Sequence, residues 1–405
     1  MKPQTTIAQI IPRLDTGGAE LATVEIGAAL VRAGARALVL TEGGRLAGRL
    51  AQTGAKLVPF PAATKNPIRM LANARTLRRL AGDERIDLFH VRSRAPAWSA
   101  LLAARRIGCP LVMTYHGAYG ERSALKRLYN SVMVRGDIVI ANSRFTADLI
   151  RARYGTPEER IRVIHRGIDP AAFDPASVSP ERIAAIRVRW RVAPEDKIVL
   201  HPARLTSWKG QEVVIAAVGR LAAEGRLSQA VVVFAGDAQG RTGYVHALER
   251  QIAAAGLEDR VRLTGHVEDM PAALCAAHVA VVASIEPEAF GRTAVEAQAM
   301  GCPVIASDLG ALPETVLAEP RAAADGNTGW LVAPGDAAAL ADKIAAALTL
   351  DRQTRAVLGG RARAHVLAHF SLRAMQRATL AVYDRLLGTT LAEATSVHYW
   401  DTDIR

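Results

Sequence analysis

Cysteine is scarce in this chain, with three among 405 residues: Cys109, Cys275 and Cys302. None stands at metal-ligand spacing and together they build no disulfide framework, so they read as small core residues in a reducing cytoplasm. Aromatic residues make up only 5%. With no helix-turn-helix, zinc or RNP-type pattern beside them, that poverty argues against a nucleic-acid partner. No apolar run approaches the roughly 18 residues that a membrane span needs. The first eleven residues lack the basic start, long apolar middle and small-residue cleavage site of a signal peptide. Internal repeats and low-complexity segments are absent too. These absences leave a cytoplasmic globular protein.

Half of the residues are apolar, enough for well-packed cores, and the length favours two domains. The net charge of +12 is unevenly spread, because residues 61–160 hold 18 Lys and Arg against 8 Asp and Glu. Such an excess suits a polyanionic partner, whether anionic lipid, a phosphorylated acceptor or nucleic acid; a merely solvated basic face is the plainer alternative.

Short β-type runs alternate with helical patterns. Strands are expected at 6–12, 37–40, 56–59, 88–91, 111–115 and 137–141, and again at 197–202, 230–236, 261–264, 279–283 and 303–307. Such βαβα order predicts parallel sheets covered on both faces. Between the two series lies a stretch punctuated by Pro and Asp, with Asp169, Pro175 and Ser179-Pro180. The expected organisation is therefore a first domain over 1–170, a linker over 171–195 and a second domain over 196–370. A helical tail over 371–405, broken near Gly359-Gly360 on its approach, packs back toward the first domain.

The segment from Ser284 to Ser307 carries the most information. Glu288 and Glu296 stand eight residues apart, with Phe290-Gly291-Arg292-Thr293 between them and Pro303 to Ala306 forming a strand downstream. On one helix the two carboxylates would diverge by about 80°. Glu288 in a loop and Glu296 in the second turn of a following helix is the better reading. Amides near Gly291 and Arg292 then open a helix N-terminus suited to an anion. Two carboxylates flanking bare amides suit a ligand with hydroxyls at both ends and phosphate between. An ordinary surface helix with two incidental glutamates is the alternative.

Loops at the carboxyl ends of strands complete the candidate site. Gly17-Gly18 precedes a helix, as a phosphate-approaching turn or a plain tight one does. Arg204 and Lys209, five residues apart after the first strand of the second domain, can clasp a diphosphate, or stand as solvated loop charges. Gly236, Gly265 and Val267, with Glu268, close the next strands. His116 follows the fifth strand and Asn142 the sixth; either residue could equally cap its strand end. From Arg122 to Arg135, Leu125, Leu128, Tyr129, Val132 and Met133 form one apolar stripe flanked by Arg122, Lys126 and Arg127. It either lies on anionic lipid or packs on its own domain.

The Glu-x7-Glu segment resembles the signature of retaining glycosyltransferases of family 4. The resemblance implies a GT-B fold, an α/β architecture of two Rossmann-like parallel-sheet domains facing each other across a cleft. It implies a nucleotide diphosphate sugar as donor, with Glu288 and His116 on the sugar, Glu296 on the ribose, and Arg204 and Lys209 on the departing diphosphate. Gly17, Gly18, Phe290, Gly291, Arg292, Thr293, Gly236, Gly265 and Val267 would line the donor. Attack on the same face, with the leaving phosphate as base, would retain the anomeric configuration. No metal is required, and Asp401-Thr402-Asp403 is taken as a chance Asp-x-Asp. Relatives that carry Pro-Asn-Gly near residue 166 are departed from here, where Arg166-Gly167 stands.

Over nearly its full length the chain is similar to bacterial lipopolysaccharide core mannosyltransferases. That likeness implies GDP-mannose ahead of a UDP-sugar, and a lipid-linked or Kdo-containing acceptor. It places the protein at the inner face of the plasma membrane. A sugar-nucleotide 2-epimerase of the same fold and a basic nucleic-acid-binding protein are the competing readings.

Overall fold

Two parallel sheets organise the chain, seen in a computed structural model that describes residues 4–15, 17–120, 123–227 and 229–397. The first holds β1 (Thr6–Ile10), β2 (Arg36–Thr41), β3 (Lys56–Pro59), β4 (Leu88–Val91), β5 (Leu111–Tyr115), β6 (Ile138–Ala141) and β7 (Ile161–Val163). Their order is β3-β2-β1-β4-β5-β6-β7. The connecting helices are α1 (Gly18–Arg32), α2 (Ala47–Gln52), α3 (Pro67–Asp83), α4 (Arg94–Ile107), α5 (Ala124–Ser131) and α6 (Arg144–Tyr154).

The second sheet contains β8 (Lys197–His201), β9 (Ala230–Ala235), β10 (Val261–Gly265), β11 (Val279–Val282), β12 (Val304–Ser307) and β13 (Trp330–Val332), in the order β10-β9-β8-β11-β12-β13. Around it lie α7 (Pro180–Trp190), α8 (Gln211–Ala223), α9 (Thr242–Ala254), α10 (Met270–Ala276), α11 (Arg292–Ala299), α12 (Leu312–Thr315), α13 (Ala337–Thr349) and α14 (Arg352–His369). Two last helices follow, α15 (Leu372–Leu387) and α16 (Leu391–Val397). Both strand orders are those of a Rossmann-like sheet, with the reversal between β1 and β4 and between β8 and β11.

The inner strands of both sheets are buried almost end to end, yet their side chains still alternate between two cores. In the first sheet Ile7, Val39, Leu88 and Val112 enter one hydrophobic cluster, while Ala8, Leu38, Phe89 and Met113 enter the other. In the second sheet Val199, Val232 and Val281 face one core, and Ile198, Val233 and Ala280 the other. Apolar side chains on both faces require helices on both faces, which forces the crossover connections seen.

The chain divides into one unit of Met1–Gly167 with Leu372–Arg405 and another of Ile168–Ser371. Met375, Leu380, Val382 and Tyr383 of α15 are buried in the same cluster as β1 and β2. The Tyr383 hydroxyl lies 2.6 Å from Nδ1 of the fully buried His90, whose Nε2 lies 2.6 Å from Oγ1 of Thr114. Gln376 donates to the Glu25 carbonyl at 2.8 Å and accepts from Arg32 at 2.9 Å.

Two expectations are corrected. Residues 171–195 do not form a linker, because they belong to the second unit and α7 within them buries Ile186 and Trp190 in the core beside Ile198. Ser179-Pro180, read as punctuation, is a helix start: Ser179 Oγ accepts from the Arg182 amide at 3.4 Å and proline occupies the first turn. Arg182 then binds both oxygens of Asp269, at 2.7 and 2.8 Å. Gly359-Gly360 breaks nothing either, since α14 runs through it. A Cβ at Gly359 would come within 2.4 Å of the Gly301 carbonyl oxygen, so the missing side chain serves close backbone approach.

Candidate active site

β8 and β11 are neighbours in the second sheet, but the chain leaves them in opposite directions, toward β9 and toward β12. Their loops therefore part above the sheet, the position where open α/β sheets take ligands. After β8 the chain passes Arg204 and turns through Ser207–Lys209. Gly210 ends that turn at φ +77°, and a Cβ there would lie 1.9 Å from the Ala283 carbonyl oxygen. Only glycine lets the turn press so closely on the end of β11.

That approach brings Lys209 to Glu288. Lys209 Nζ lies 2.5 Å from Glu288 Oε1, and both side chains are nearly buried. Ser284, at the end of β11, donates to the same oxygen at 2.6 Å. Burial by itself would raise the Glu288 pKa. The Lys209 ammonium, with hydrogen bonds from Lys209 and Ser284, outweighs it and holds the carboxyl below its usual range. The Ala311 amide fixes the Glu288 carbonyl at 2.9 Å. Oε2 of Glu288 makes no hydrogen bond among the described residues.

Glu296 lies in the second turn of α11, whose N-cap is Gly291 in the left-handed region, with no side-chain cap. Its Oε1 accepts from Arg292 Nε at 2.8 Å, and Thr293 stands half-buried beside them. Phe290 is anchored in a cluster with Ile168, Val295 and Phe370, its ring 5.6 Å from that of Phe370. It holds the loop down instead of presenting a ring to a ligand.

Arg204 is exposed, its carbonyl held by Gln211 Nε2 at 2.9 Å, and among the described residues its guanidinium reaches Gln239 Oε1 at 3.5 Å and no carboxylate. Gly236 packs beneath this loop, where a Cβ would meet the Ala203 carbonyl. Gly265 ends β10 at φ +69°. The Val267 side chain is committed to the core beside Ala272 and Ala273, while Glu268 is exposed.

In the first unit, His116 ends β5 and gathers partners from two other strand ends. Arg166 Nη2 lies 2.7 Å from His116 Nδ1, and Asn142 Nδ2 lies 3.2 Å from the same atom. An arginine can only donate, so Nδ1 must accept and the ring proton sits on Nε2. Burial, and then the nearby Arg166, Arg92 and His90, push the His116 pKa well below 6.5. Its Nε2 is shielded from solvent and unpaired among the described residues. The ring is a neutral hydrogen-bond donor.

Arg166 also donates to the Gly18 carbonyl, tying the glycine loop to the histidine. The helix behind that loop opens at Gly17 with no side-chain cap, and the Glu20 carboxylate lies against Gly17. A diphosphate at this turn would meet that like charge.

The expected stripe of 122–135 is split. Leu125 and Leu128 of α5 are 79% and 53% exposed, whereas Val132 and Met133, in a tighter turn that follows, are buried. Lys126 and Arg127 are exposed, with Arg127 donating to the Arg153 carbonyl at 2.5 Å. Arg122, like Asp401 and Asp403, lies outside the described residues.

Sequence reasoning passed over Ser284 as a site residue and treated Arg166 only as a departure. A serine four residues before a loop carboxylate was the available signal for the first. No local signal existed for the second, because Arg166 meets His116 across 50 residues of sequence.

Residues 16–172 match the family model described as Glycosyltransferase Family 4, and residues 183–365 match Glycosyl transferases group 1. A D-inositol 3-phosphate glycosyltransferase from Xylanimonas cellulosilytica is 30% identical over 384 residues, covering 86% of this chain and 87% of its own. The chain belongs to glycosyltransferase family 4. Among solved family structures, a glycosyltransferase from Rickettsia africae superposes with a TM-score of 0.86 at 32% identity, over 96% of this chain and 100% of its own. Anabaena HepE in complex with UDP and glucose does so with a TM-score of 0.81 at 26% identity, over 94% and 100%. The family 4 assignment carries a glycosyltransferase activity and a nucleotide-sugar donor. The Xylanimonas relative is named for inositol phosphate, not for the lipopolysaccharide mannose transfer that the sequence likeness implied.

Proposed function

We propose that this protein transfers a hexosyl group from a nucleotide diphosphate sugar to a hydroxyl of an anionic acceptor, with retention of anomeric configuration. The observation that carries the reading is the meeting of Lys209 with Glu288 at the β8–β11 switch point, beside the exposed Arg204. The unused oxygens of Glu288 and Glu296 are acceptors for sugar and ribose hydroxyls. Arg204 and Lys209 supply fixed positive charge where the leaving diphosphate gathers negative charge, the electrostatic contribution that is usually the largest. His116 donates a hydrogen bond from Nε2 to a hydroxyl or ring oxygen and moves no proton.

Retaining hydrolases place two carboxylates about 5 Å apart, one of them a nucleophile. Glu288 is instead salt-bridged and buried, a poor nucleophile, which favours same-face attack assisted by the leaving phosphate. No metal enters this scheme. For the donor, the UDP and glucose bound to HepE put a UDP-sugar first and move GDP-mannose second. For the acceptor, the basic excess of residues 61–160 and the inositol-phosphate relative both support an anionic group. A phosphorylated polyol and a lipid-linked or Kdo-containing saccharide at the cytoplasmic membrane face share that chemistry.

Calorimetric titration with UDP, GDP and ADP, with Glu296→Ala as control, tests the donor site. Tight UDP binding that weakens in the variant supports the reading. Tight binding of GDP alone restores GDP-mannose, and no binding to any of them removes the donor-site assignment. Resolving the anomeric proton of the product by NMR decides retention against inversion.

A further inference from the structure

Helices α3, α4 and α5 follow β3, β4 and β5, and the right-handed rule for parallel crossovers puts them on one face of the first sheet. α4 packs against α3 on one side and against the tight turn that continues α5 on the other. Their outward surface is unusual in two independent ways. Of the ten large hydrophobic side chains exposed among the described residues, six lie on these three helices. They are Ile68 and Leu71 on α3, Leu102 and Ile107 on α4, and Leu125 and Leu128 on α5, with Ile68 at 78% and Leu125 at 79% exposure.

The charge is equally one-sided. Exposed cations number four on α3 (Arg69, Arg75, Arg78, Arg79), two on α4 (Arg105, Arg106) and two on α5 (Lys126, Arg127). The only acid on the three helices is Asp83. Just beyond it, Glu84 is already paired with Arg36 and Lys56. A surface that only needed solvation would not expose isoleucine and leucine between its arginines. A polyanion such as nucleic acid uses the cations and leaves the aliphatic side chains in water.

We propose that the outer surface of α3, α4 and α5 docks on an anionic lipid bilayer, with Ile68, Leu71, Leu125 and Leu128 entering the headgroup region and the arginines pairing with lipid phosphates. No described helix is long and apolar enough to cross a membrane, so the contact is peripheral. The proposal rests on the reading of a membrane-borne anionic acceptor and extends it from one amphipathic helix to a three-helix face. It does not depend on the donor site.

Sedimentation of the purified protein with vesicles tests it, using phosphatidylcholine alone and phosphatidylcholine with phosphatidylglycerol in equal parts. Binding is expected only to the anionic vesicles, weakening steeply with added salt. Arg69→Glu with Arg78→Glu is expected to reduce partitioning by about tenfold or more, given the strength of each basic contact with such a surface. Ile68→Gln with Leu125→Gln, at positions already in water and harmless to folding, is expected to reduce it several-fold at constant charge. Failure of the wild-type protein to bind anionic vesicles overturns the proposal. So does equal binding by the glutamine variant, which would leave a polyanion face without lipid insertion. Nucleotide titration of the same samples separates the two readings: retained donor binding without vesicle binding sinks the docking face alone.

Discussion

The two units hold their candidate polar groups in opposite ways. In the second unit the groups are charged and matched, with Glu288 on Lys209 and Glu296 on Arg292. In the first unit the central group is a histidine kept neutral by burial and by the arginine that binds it, with its tautomer fixed by the same contact. Paired charges resist removal of one member, because the survivor is left buried and uncompensated. A neutral ring oriented by donors resists titration instead. The second unit therefore holds matched, mutually dependent charges, and the first an oriented neutral donor.

The sharpest way to break this contrast is Glu288→Ala. Stranding the Lys209 ammonium is expected to cost about 3 kcal/mol of stability, read as a lowered denaturation midpoint, and to abolish transfer. Replacing both partners, as Glu288→Gln with Lys209→Met, should restore most of the stability and none of the activity. If the double variant is no more stable than the single one, the pair is not the buried, mutually dependent unit described.

A smaller effect is expected from His116→Ala, a loss of about a hundredfold in kcat/KM for a group that only donates a hydrogen bond. Its diagnostic is pH. With its pKa held well below 6.5 by burial and by Arg166, the ring stays neutral near neutrality. The wild-type kcat/KM profile is therefore expected to lack a histidine inflection near pH 6.5, and an inflection there would contradict the neutral ring. Glu296→Ala should weaken nucleotide binding by about tenfold, the worth of a hydrogen bond to a charged group, and lower stability less than Glu288→Ala does, by leaving Arg292 without its carboxylate. Equal affinity in the variant would remove Glu296 from the ribose.

The mildest test is stability against pH. His90 and His116 have pKa values well below 6.5 when folded, and His201 is lowered to about 4, in each case chiefly through burial. Between pH 6.5 and those values the unfolded chain takes up protons that the folded one refuses, so stability rises with pH across that window. Thermal midpoints should begin to fall as pH drops below about 6.5, before the carboxylates titrate. Glu288 adds its own loss only below 4.5, as pH descends through its lowered value. A midpoint constant from pH 7 to 5 would contradict the buried neutral histidines.

Much of this architecture was legible because buried parallel strands write themselves as apolar runs. β3, β4 and β5 fall at the expected residues, and β8, β9 and β11 lie within one residue of them. β7 and β13 escaped notice because each is only three residues long, and Arg162 interrupts the apolar run of β7. The loop position of Glu288 and the helical position of Glu296 followed from angular spacing. What could not be read was pairing. Lys209 meets Glu288 across 79 residues and Arg166 meets Gly18 across 148, contacts set by strand order and not by local pattern. Ser179-Pro180 shows the opposite failure, since its signal was present but two meanings competed for it.

The return of the chain at Leu372 has a consequence for synthesis. The second unit is one continuous stretch and is complete before the last helices emerge from the ribosome. The first unit must wait, because the buried face of β1 and β2 shares its core with Met375, Leu380 and Tyr383. Until α15 arrives, a strip of aliphatic surface stays uncovered and His90 lacks its phenol partner. A chain from which residues 1–371 alone had emerged would therefore hold a finished second unit beside an incomplete, aggregation-prone first one, which makes the arrival of α15 the step that completes the first unit.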